Sequence, residues 1–516
     1  MKKFLKRLYR TFCSRYTISA ILLCLELVLL GYILFGNFPS VFYLIVAAVA
    51  VAIPALLNII NKNTDPEYKI PWVIVILILP LVGPLIYCCF YNRRMSRGEA
   101  RFLRNVFGLL RQPDSERNNS LIRLAEKDPG AAGKAHAIMN DDPLASLYTG
   151  TDSTFFQTGE KYFSSLISDL ECAEKYIFLE YFIIDEGELW NSVHGILVDK
   201  ARQGLDVRLI YDDIGCMKTL PSYYEKELRH EGIRTYRFNR VSPKISPVHQ
   251  NRDHRKICVI DGQIGYTGGV NIADEYNNTV VRFGYWKDGG IRLHGSAVEG
   301  LLKLFLSHWD YTSRTVSDSD YLISAVAPSE QADGGYYIPF GSGPAPIYKR
   351  SVGKNAFLNL INQASKYIYI TTPYLVVDYD LTTALCNAAL RGVDVRIVTP
   401  GVADKRMIKL MTKSSYPYLI DAGVKIYEFR PGFIHEKSFV TDDDYAVIGT
   451  INFDYRSLMH NFENAVWIYG SSTVTDVRDG FLATLNDSEK MDKRKSRLTP
   501  NEWLFKTLVR IFAPLM

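Results

Sequence analysis

HRKICVIDGQIGYTGGVN (His254–Asn271) and HEKSFVTDDDYAVIGTIN (His435–Asn452) are one pattern written twice. Each reads His-x-Lys-x4-Asp, then six residues, then Gly-x-x-Asn. One such motif is a weak signal in a chain of 516 residues, but two with matching tails are strong. KICVID and KSFVTD are rich in β-branched and aromatic residues and read as strands. Residues two apart on a strand share a face, so His254 projects with Lys256, and His435 with Lys437. Asp261 and Asp442 follow their lysines by an odd number of positions, face the other way, and are expected to anchor the local backbone. The glycines around Gly269 permit close backbone approach to an anion, Thr450 offers a hydroxyl, and Asn271 and Asn452 can donate hydrogen bonds. Brought together, two His, two Lys and two Asn make a pocket suited to a phosphate ester. No carboxylate or His/Cys cluster with metal spacing lies beside them, so no metal and no other cofactor is expected.

Working outward, the duplication extends beyond the motifs. AEKYIF (Ala173–Phe178) matches ASKYIY (Ala364–Tyr369), ARQGLDVRLI (Ala201–Ile210) matches ALRGVDVRIV (Ala389–Val398), and LRHEGIRTY (Leu228–Tyr236) matches LIDAGVKIY (Leu419–Tyr427). The offsets are 191, 188 and 191, which is far too long for a solenoid repeat and indicates two copies of one domain. Each copy alternates strands with helices that end at Gly204 or Gly392, so the expected fold class is α/β: a tandem pair of α/β sandwich domains with mixed, mostly parallel sheets. The expected boundaries are a membrane anchor at 1–111, a first domain at 112–315, a linker at 316–339, a second domain at 340–487, and a basic amphipathic C-terminal segment at 488–516.

The anchor follows from three apolar stretches, Thr17–Phe35, Val41–Ile60 and Pro71–Tyr91, each near the ~20 residues of a crossing helix. Residues 1–16 hold six basic residues and no acid, and residues 92–104 hold five Arg and one Glu. Both flanks therefore favour the cytoplasmic side, and three full crossings would separate them. Glu26 marks the first stretch as one that need not cross, and Pro80, Gly83 and Pro84 could bend the third. ARFLRNVFGLLR (Ala100–Arg111) and NEWLFKTLVRIFAPLM (Asn501–Met516) read either as helices at an anionic membrane surface or as ordinary helices packed on the domain. A net charge of +5 gives no ground for a nucleic-acid partner. Eight scattered Cys without a CxxC pair suit free thiols in a reducing compartment.

The paired motifs resemble the phospholipase D superfamily, the HKD enzymes. GGVNIADEY, YWKDGGIRLHGSAV, GTINFDYRS, the C-terminal RIFAPLM and the apolar N-terminus narrow the resemblance to the bacterial cardiolipin synthases. The resemblance implies an enzyme in which His254 attacks phosphorus and His435 serves as acid and base. Lys256, Lys437, Asp261 and Asp442 complete the motifs. Glu463 is the acid that the family places after the second His, and Asp288 is its counterpart for the first. The implied reaction moves a phosphatidyl group between two phosphatidylglycerol molecules at the plasma membrane, the catalytic domains lying on its cytoplasmic face. The alternatives are a phospholipase D that hydrolyses its lipid, or a transphosphatidylase with another donor such as phosphatidylethanolamine. The sequence leaves oligomeric state open, a homodimer included.

Overall fold

The computed structural model describes residues 38–80, 82–90, 97–111, 114–241, 251–318, 326–345 and 347–513, with isolated positions before residue 38. The expected first apolar stretch, with Glu26 and the basic residues ahead of it, lies outside the described residues. The chain divides into two units: residues 1–96, 240–250 and 507–516, and residues 97–239 and 251–506.

In the first unit, helix Phe38–Ile60 is uncharged and contains Pro54. Asp65 caps the next helix, Pro66–Ile78, by accepting from Glu67 N, and Pro66 starts it with φ already set. The third apolar stretch is not one segment. It breaks after Ile78, and a second short helix, Val82–Phe90, folds back against the first. Gly83 makes the return possible, because a Cβ there would lie 2.8 Å from Ile76 Cα. Ala52, Ile59, Trp72, Ile76 and Tyr87 form the small core, with Trp72 edge-on to Tyr87 at 5.6 Å. No helix among the described residues is long and apolar enough to cross a membrane. Large apolar side chains such as Tyr43, Val49, Ile53 and Ile60 are exposed on this unit.

The second unit holds both sequence repeats. The first repeat supplies β1 (Thr151–Phe156), β2 (Tyr176–Tyr181), β3 (Asp206–Asp212), β4 (Arg234–Phe238), β5 (Ile257–Ile260), β6 (Ile264–Gly268), β7 (Tyr285–Lys287) and β8 (Gly290–Gly295). The second supplies β9 (Tyr336–Ser342), β10 (Tyr367–Thr371), β11 (Leu375–Val376), β12 (Asp394–Pro400), β13 (Lys425–Phe429), β14 (Gly432–Ile434), β15 (Ser438–Thr441), β16 (Tyr445–Gly449), β17 (Phe453–Asp454), β18 (Glu463–Tyr469) and β19 (Ser488–Lys490). The two large sheets run β1-β8-β6-β5-β2-β3-β4 and β19-β13-β12-β10-β15-β16-β18-β9.

The sheets are mixed, but the expectation of mostly parallel strands is corrected. Within the two large sheets only β2-β3-β4 and β10-β12-β13 are parallel, and the other ladders are antiparallel. Parallel pairing needs a crossover helix, which helices Glu188–Arg202 and Tyr379–Leu390 provide. The motif strands are joined instead by tight turns in which Asp261, Gly262, Asp442 and Asp443 take φ of 54°, 71°, 59° and 66°, and such turns make hairpins.

The two repeats are interleaved. Helix Val298–Ser313 packs beneath the first sheet, and a Cβ at its Gly300 would lie 2.8 Å from Pro339 of β9. Reciprocally, a Cβ at Gly480 in helix Ser472–Asn486 would lie 2.9 Å from Gln157, just after β1. Helix Arg97–Leu110 is an ordinary packed helix: Leu103, Val106, Phe107 and Leu110 are buried, and Phe107 meets Tyr348 edge-on at 6.1 Å. Segment Asp128–Asp142 precedes the first repeat in sequence but bonds to the second. The Tyr469 hydroxyl donates to Asp128, Lys134 Nζ to the Tyr445 hydroxyl, and Gly341 N to Asp142.

Candidate active site

β5 and β15 run antiparallel to β2 and β10, so each motif histidine, lying just before its strand, stands at the C-terminal edge of the parallel strands. Those edges are where open α/β sheets bind ligands. Reciprocal backbone bonds hold the two edges together. His254 N donates to Phe462 O at 2.9 Å, and His435 N donates to Lys287 O at 2.7 Å. β14, which leads into His435, pairs in parallel with β7, which leads into Asp288.

This stitching decides which carboxylate meets which ring. His254 Nδ1 donates to Glu463 Oε2 at 2.8 Å, and His435 Nδ1 donates to Asp288 Oδ2 at 2.6 Å. The pairing is therefore crossed, and the expected match of Glu463 to the second His and Asp288 to the first is corrected. The physical reason is that each carboxylate follows the strand that the other repeat's histidine segment pairs with. With Nδ1 committed to a carboxylate, Nε2 of each ring is left with its lone pair.

The positions after each motif are matched to these acids. Gly269 leaves room for Asp288: a Cβ there would lie 2.1 Å from Asp288 Oδ1. At the corresponding position Thr450 donates its hydroxyl to Glu463 Oε2, and Asn461 Nδ2 donates to Oε1 at 3.2 Å. Asp288 accepts one further bond, from Gly289 N at 2.8 Å. Phe182 lies 5.0 Å from the His254 ring, and Tyr276, Trp286 and Phe433 surround the His435 ring at 5.6, 5.6 and 5.8 Å.

Lys256 Nζ donates to His254 O at 2.7 Å, and Lys437 Nζ donates to His435 O. Burial pushes the lysines down, Lys256 to about 7 and Lys437 to about 8. It pushes the acids up, Glu463 to about 7 and Asp288 to about 6. Burial, and then the charges of Lys256 and Lys437, hold both imidazoles well below their ordinary value, and the His254 charge acts on His435 in turn. Two lysines, two imidazoles held neutral and two acids thus share one desolvated pocket, where an arriving anion would meet the lysine charges.

Asp261 and Asp442 do what their strand parity implied. Asp261 accepts from the backbone N–H groups of Glu174, Lys175 and Tyr176, and Asp442 from those of Ser365, Lys366 and Tyr367 and from the Ser365 hydroxyl. They tie each hairpin to the start of β2 or β10. Asn271 is engaged locally: Oδ1 accepts from Ile183 N at 3.0 Å, and Nδ2 donates to the Tyr276 hydroxyl at 2.7 Å. Asn452 is buried with Oδ1 unpartnered.

Sequence reasoning missed a buried charged cluster behind His254. His308 Nδ1 donates to Glu180 Oε1 at 2.7 Å and lies 3.4 Å from Asp253 Oδ2, while Asp253 Oδ1 accepts from Arg255 N. Against burial and the Arg255 charge, Glu180 and Asp253 hold the His308 imidazole above its ordinary value. The signal available was Glu180 in KYIFLEY, an acid inside a buried strand where the second repeat has Thr371.

The family described as "Cardiolipin synthase, PLD-like domain" matches residues 166–280 and 357–485, and "Phospholipase D-nuclease N-terminal" matches residues 50–90. A cardiolipin synthase of Alkalihalophilus pseudofirmus is 33% identical over 476 residues, covering 88% of this chain and 90% of its own. An uncharacterised Streptococcus mutans protein is 36% identical, covering 90% of this chain and 100% of its own. Among solved structures, the phosphatidylserine synthase of Haemophilus influenzae Rd KW20 shares the fold, with a TM-score of 0.55 at 14% identity over 74% of this chain and 98% of its own.

Proposed function

We propose that this chain, which belongs to the cardiolipin synthase family of phospholipase D-like proteins and is a phosphatidyltransferase of that type, moves a phosphatidyl group from one phosphatidylglycerol to another, releasing glycerol. The observation that carries the reading is the crossed pairing of His254 with Glu463 and of His435 with Asp288 in one buried pocket beside Lys256 and Lys437. His254 Nε2 attacks phosphorus. The bond from phosphorus to the departing glycerol oxygen breaks as His435 Nε2 gives that oxygen its proton. A second phosphatidylglycerol then loses its hydroxyl proton to His435, attacks phosphorus and frees His254. Lys256 and Lys437 balance the charge on the non-bridging oxygens, so that the residues of this chain supply the electrostatic stabilisation.

Burial and the lysine charges favour the neutral form of both imidazoles, which suits the attacking ring but not the donating one. The arriving phosphodiester supplies the missing negative charge. It offsets the lysine charges and raises the ring that must carry a proton. The membrane reading rests on the exposed apolar helices of the first unit. They seat the enzyme at the bacterial plasma membrane with the catalytic unit on the cytoplasmic side.

The test is the purified full chain given labelled phosphatidylglycerol, with cardiolipin resolved from phosphatidic acid. Cardiolipin and glycerol in equal amounts are expected. Phosphatidic acid alone would mean that water is the acceptor, and would replace the synthase reading with that of a hydrolase.

A further inference from the structure

Three loops border the pocket on the edge where the motif histidines stand. Residues 213–223 follow β3, whose last residue Asp212 pairs with Arg252 and accepts from Asp253 N at 3.1 Å, next to His254. Residues 269–284 follow β6 and carry Tyr276, whose ring lies 5.6 Å from that of His435. Residues 401–405 follow β12, and Val402 N reaches Gly432 O at 3.4 Å, on the strand leading into His435.

These loops carry large apolar side chains that face water. Ile214, Met217, Tyr223, Val280, Val281 and Val402 are all exposed, Val281 at 75%. Exposed apolar residues scattered singly need no explanation, but a set carried by three loops that all follow strands ending beside the motif histidines does. Exposed Lys218, Lys405 and Arg406 lie among them or directly after them.

We propose that these three loops form a docking rim that seats the mouth of the pocket on an anionic phospholipid bilayer. The inference rests on the phosphatidyltransferase reading and says where the substrate comes from. A diacyl lipid is costly to draw into water, so its headgroup must reach the histidines while its chains stay in the membrane. Apolar tips that enter the headgroup layer and lysines that meet anionic lipid satisfy that requirement. The rim belongs to the catalytic unit, distinct from the apolar N-terminal helices.

The test compares two presentations of one substrate to the full-length enzyme. One is long-chain phosphatidylglycerol in a nanodisc holding the enzyme. The other is monomeric short-chain phosphatidylglycerol given to the enzyme in detergent. Val281→Asp and Met217→Asp are expected to lose roughly tenfold or more on the bilayer and to stay within about twofold on the monomer. Unchanged turnover on both, or equal loss on both, overturns the rim. A second measurement does not need turnover: a fluorophore on Val281→Cys, compared with the labelled parent, should be quenched by lipids carrying a quencher on their chains. No added quenching also overturns the rim. Absence of cardiolipin from the parent enzyme in both presentations would instead strike the reaction assignment, and the quenching would still decide the rim.

Discussion

Behind His435 stands an aspartate, and behind His254 a glutamate one methylene longer. The shorter acid reaches its ring because Gly269 contributes no side chain, which lets Asp288 sit against the backbone of the opposite motif. The longer acid stands further off, and Thr450 fills the intervening space with a hydroxyl that binds it. Carboxylate length and the residue after the motif glycine therefore vary together. The two half-sites also differ in depth: His254 has the Glu180–His308–Asp253–Arg255 cluster behind it, whereas the positions equivalent to Glu180, Asp253 and Arg255 hold Thr371, Ile434 and Glu436 in the second repeat. A duplicated site has kept one plan for its rings and diverged in what supports them.

The sharpest way to break the comparison is to remove each ring. His254→Ala and His435→Ala should each lower cardiolipin formation by roughly 10⁴-fold or more. Only His435→Ala, in which the attacking ring remains, should retain label from phosphatidylglycerol on the protein after acid-free denaturation. Label retained by His254→Ala alone would reverse the assignment. Next, Asp288→Asn and Glu463→Gln should cost roughly 10²- to 10⁴-fold in kcat, because an amide no longer fixes the ring tautomer. Asp288→Asn should be the more damaging. Thr450 can reverse its hydroxyl to suit an amide, whereas the Gly289 N–H that Asp288 accepts cannot.

A smaller effect tests the pairing of side-chain lengths. Gly269→Ala should lower kcat by about 10²-fold and lower Tm as well, since its Cβ would lie 2.1 Å from Asp288 Oδ1 and 2.8 Å from the His435 backbone carbonyl and so misplace the ring. Thr450→Ser should stay within roughly threefold of the parent and Thr450→Val should lose about tenfold, as one hydrogen bond to a charged group implies. The smallest effect is on stability. Burial holds Lys256 at about 7 and Lys437 at about 8 against 10.5 in the open chain. Above those values the unfolded chain keeps protons that the native one has released, so these groups make stability rise with pH until about 10. Thermal melts of the detergent-solubilised enzyme should show Tm rising by a few degrees over that window. Lys437→Met should flatten the part of the rise above pH 8.

Much of this was legible in the chain. The repeat offsets showed two copies, and strand parity sent Asp261 and Asp442 away from the rings and into the backbone turns where they lie. The crossed carboxylates were not legible, because they depend on how two folded repeats dock. Sequence proximity ties Glu463 to His435, whereas the backbone bond from His254 N to Phe462 O ties it to His254. Asn271 was read as a donor to the anion because its side chain could serve that purpose. The folded loop uses it first, with Ile183 N and the Tyr276 hydroxyl as partners. The sheet direction was misread because alternating strands and helices suggest crossovers, whereas the hairpins at each motif reverse the chain without one.

The reciprocal stitching has a consequence for ancestry. A single-copy forebear with this layout could have worked only as a pair, each copy lending its acid to the other's imidazole. Once fused, neither copy is free to lose its motif while the other carries on. Decay in one takes the support from beneath the other, which ties the fates of the two copies together.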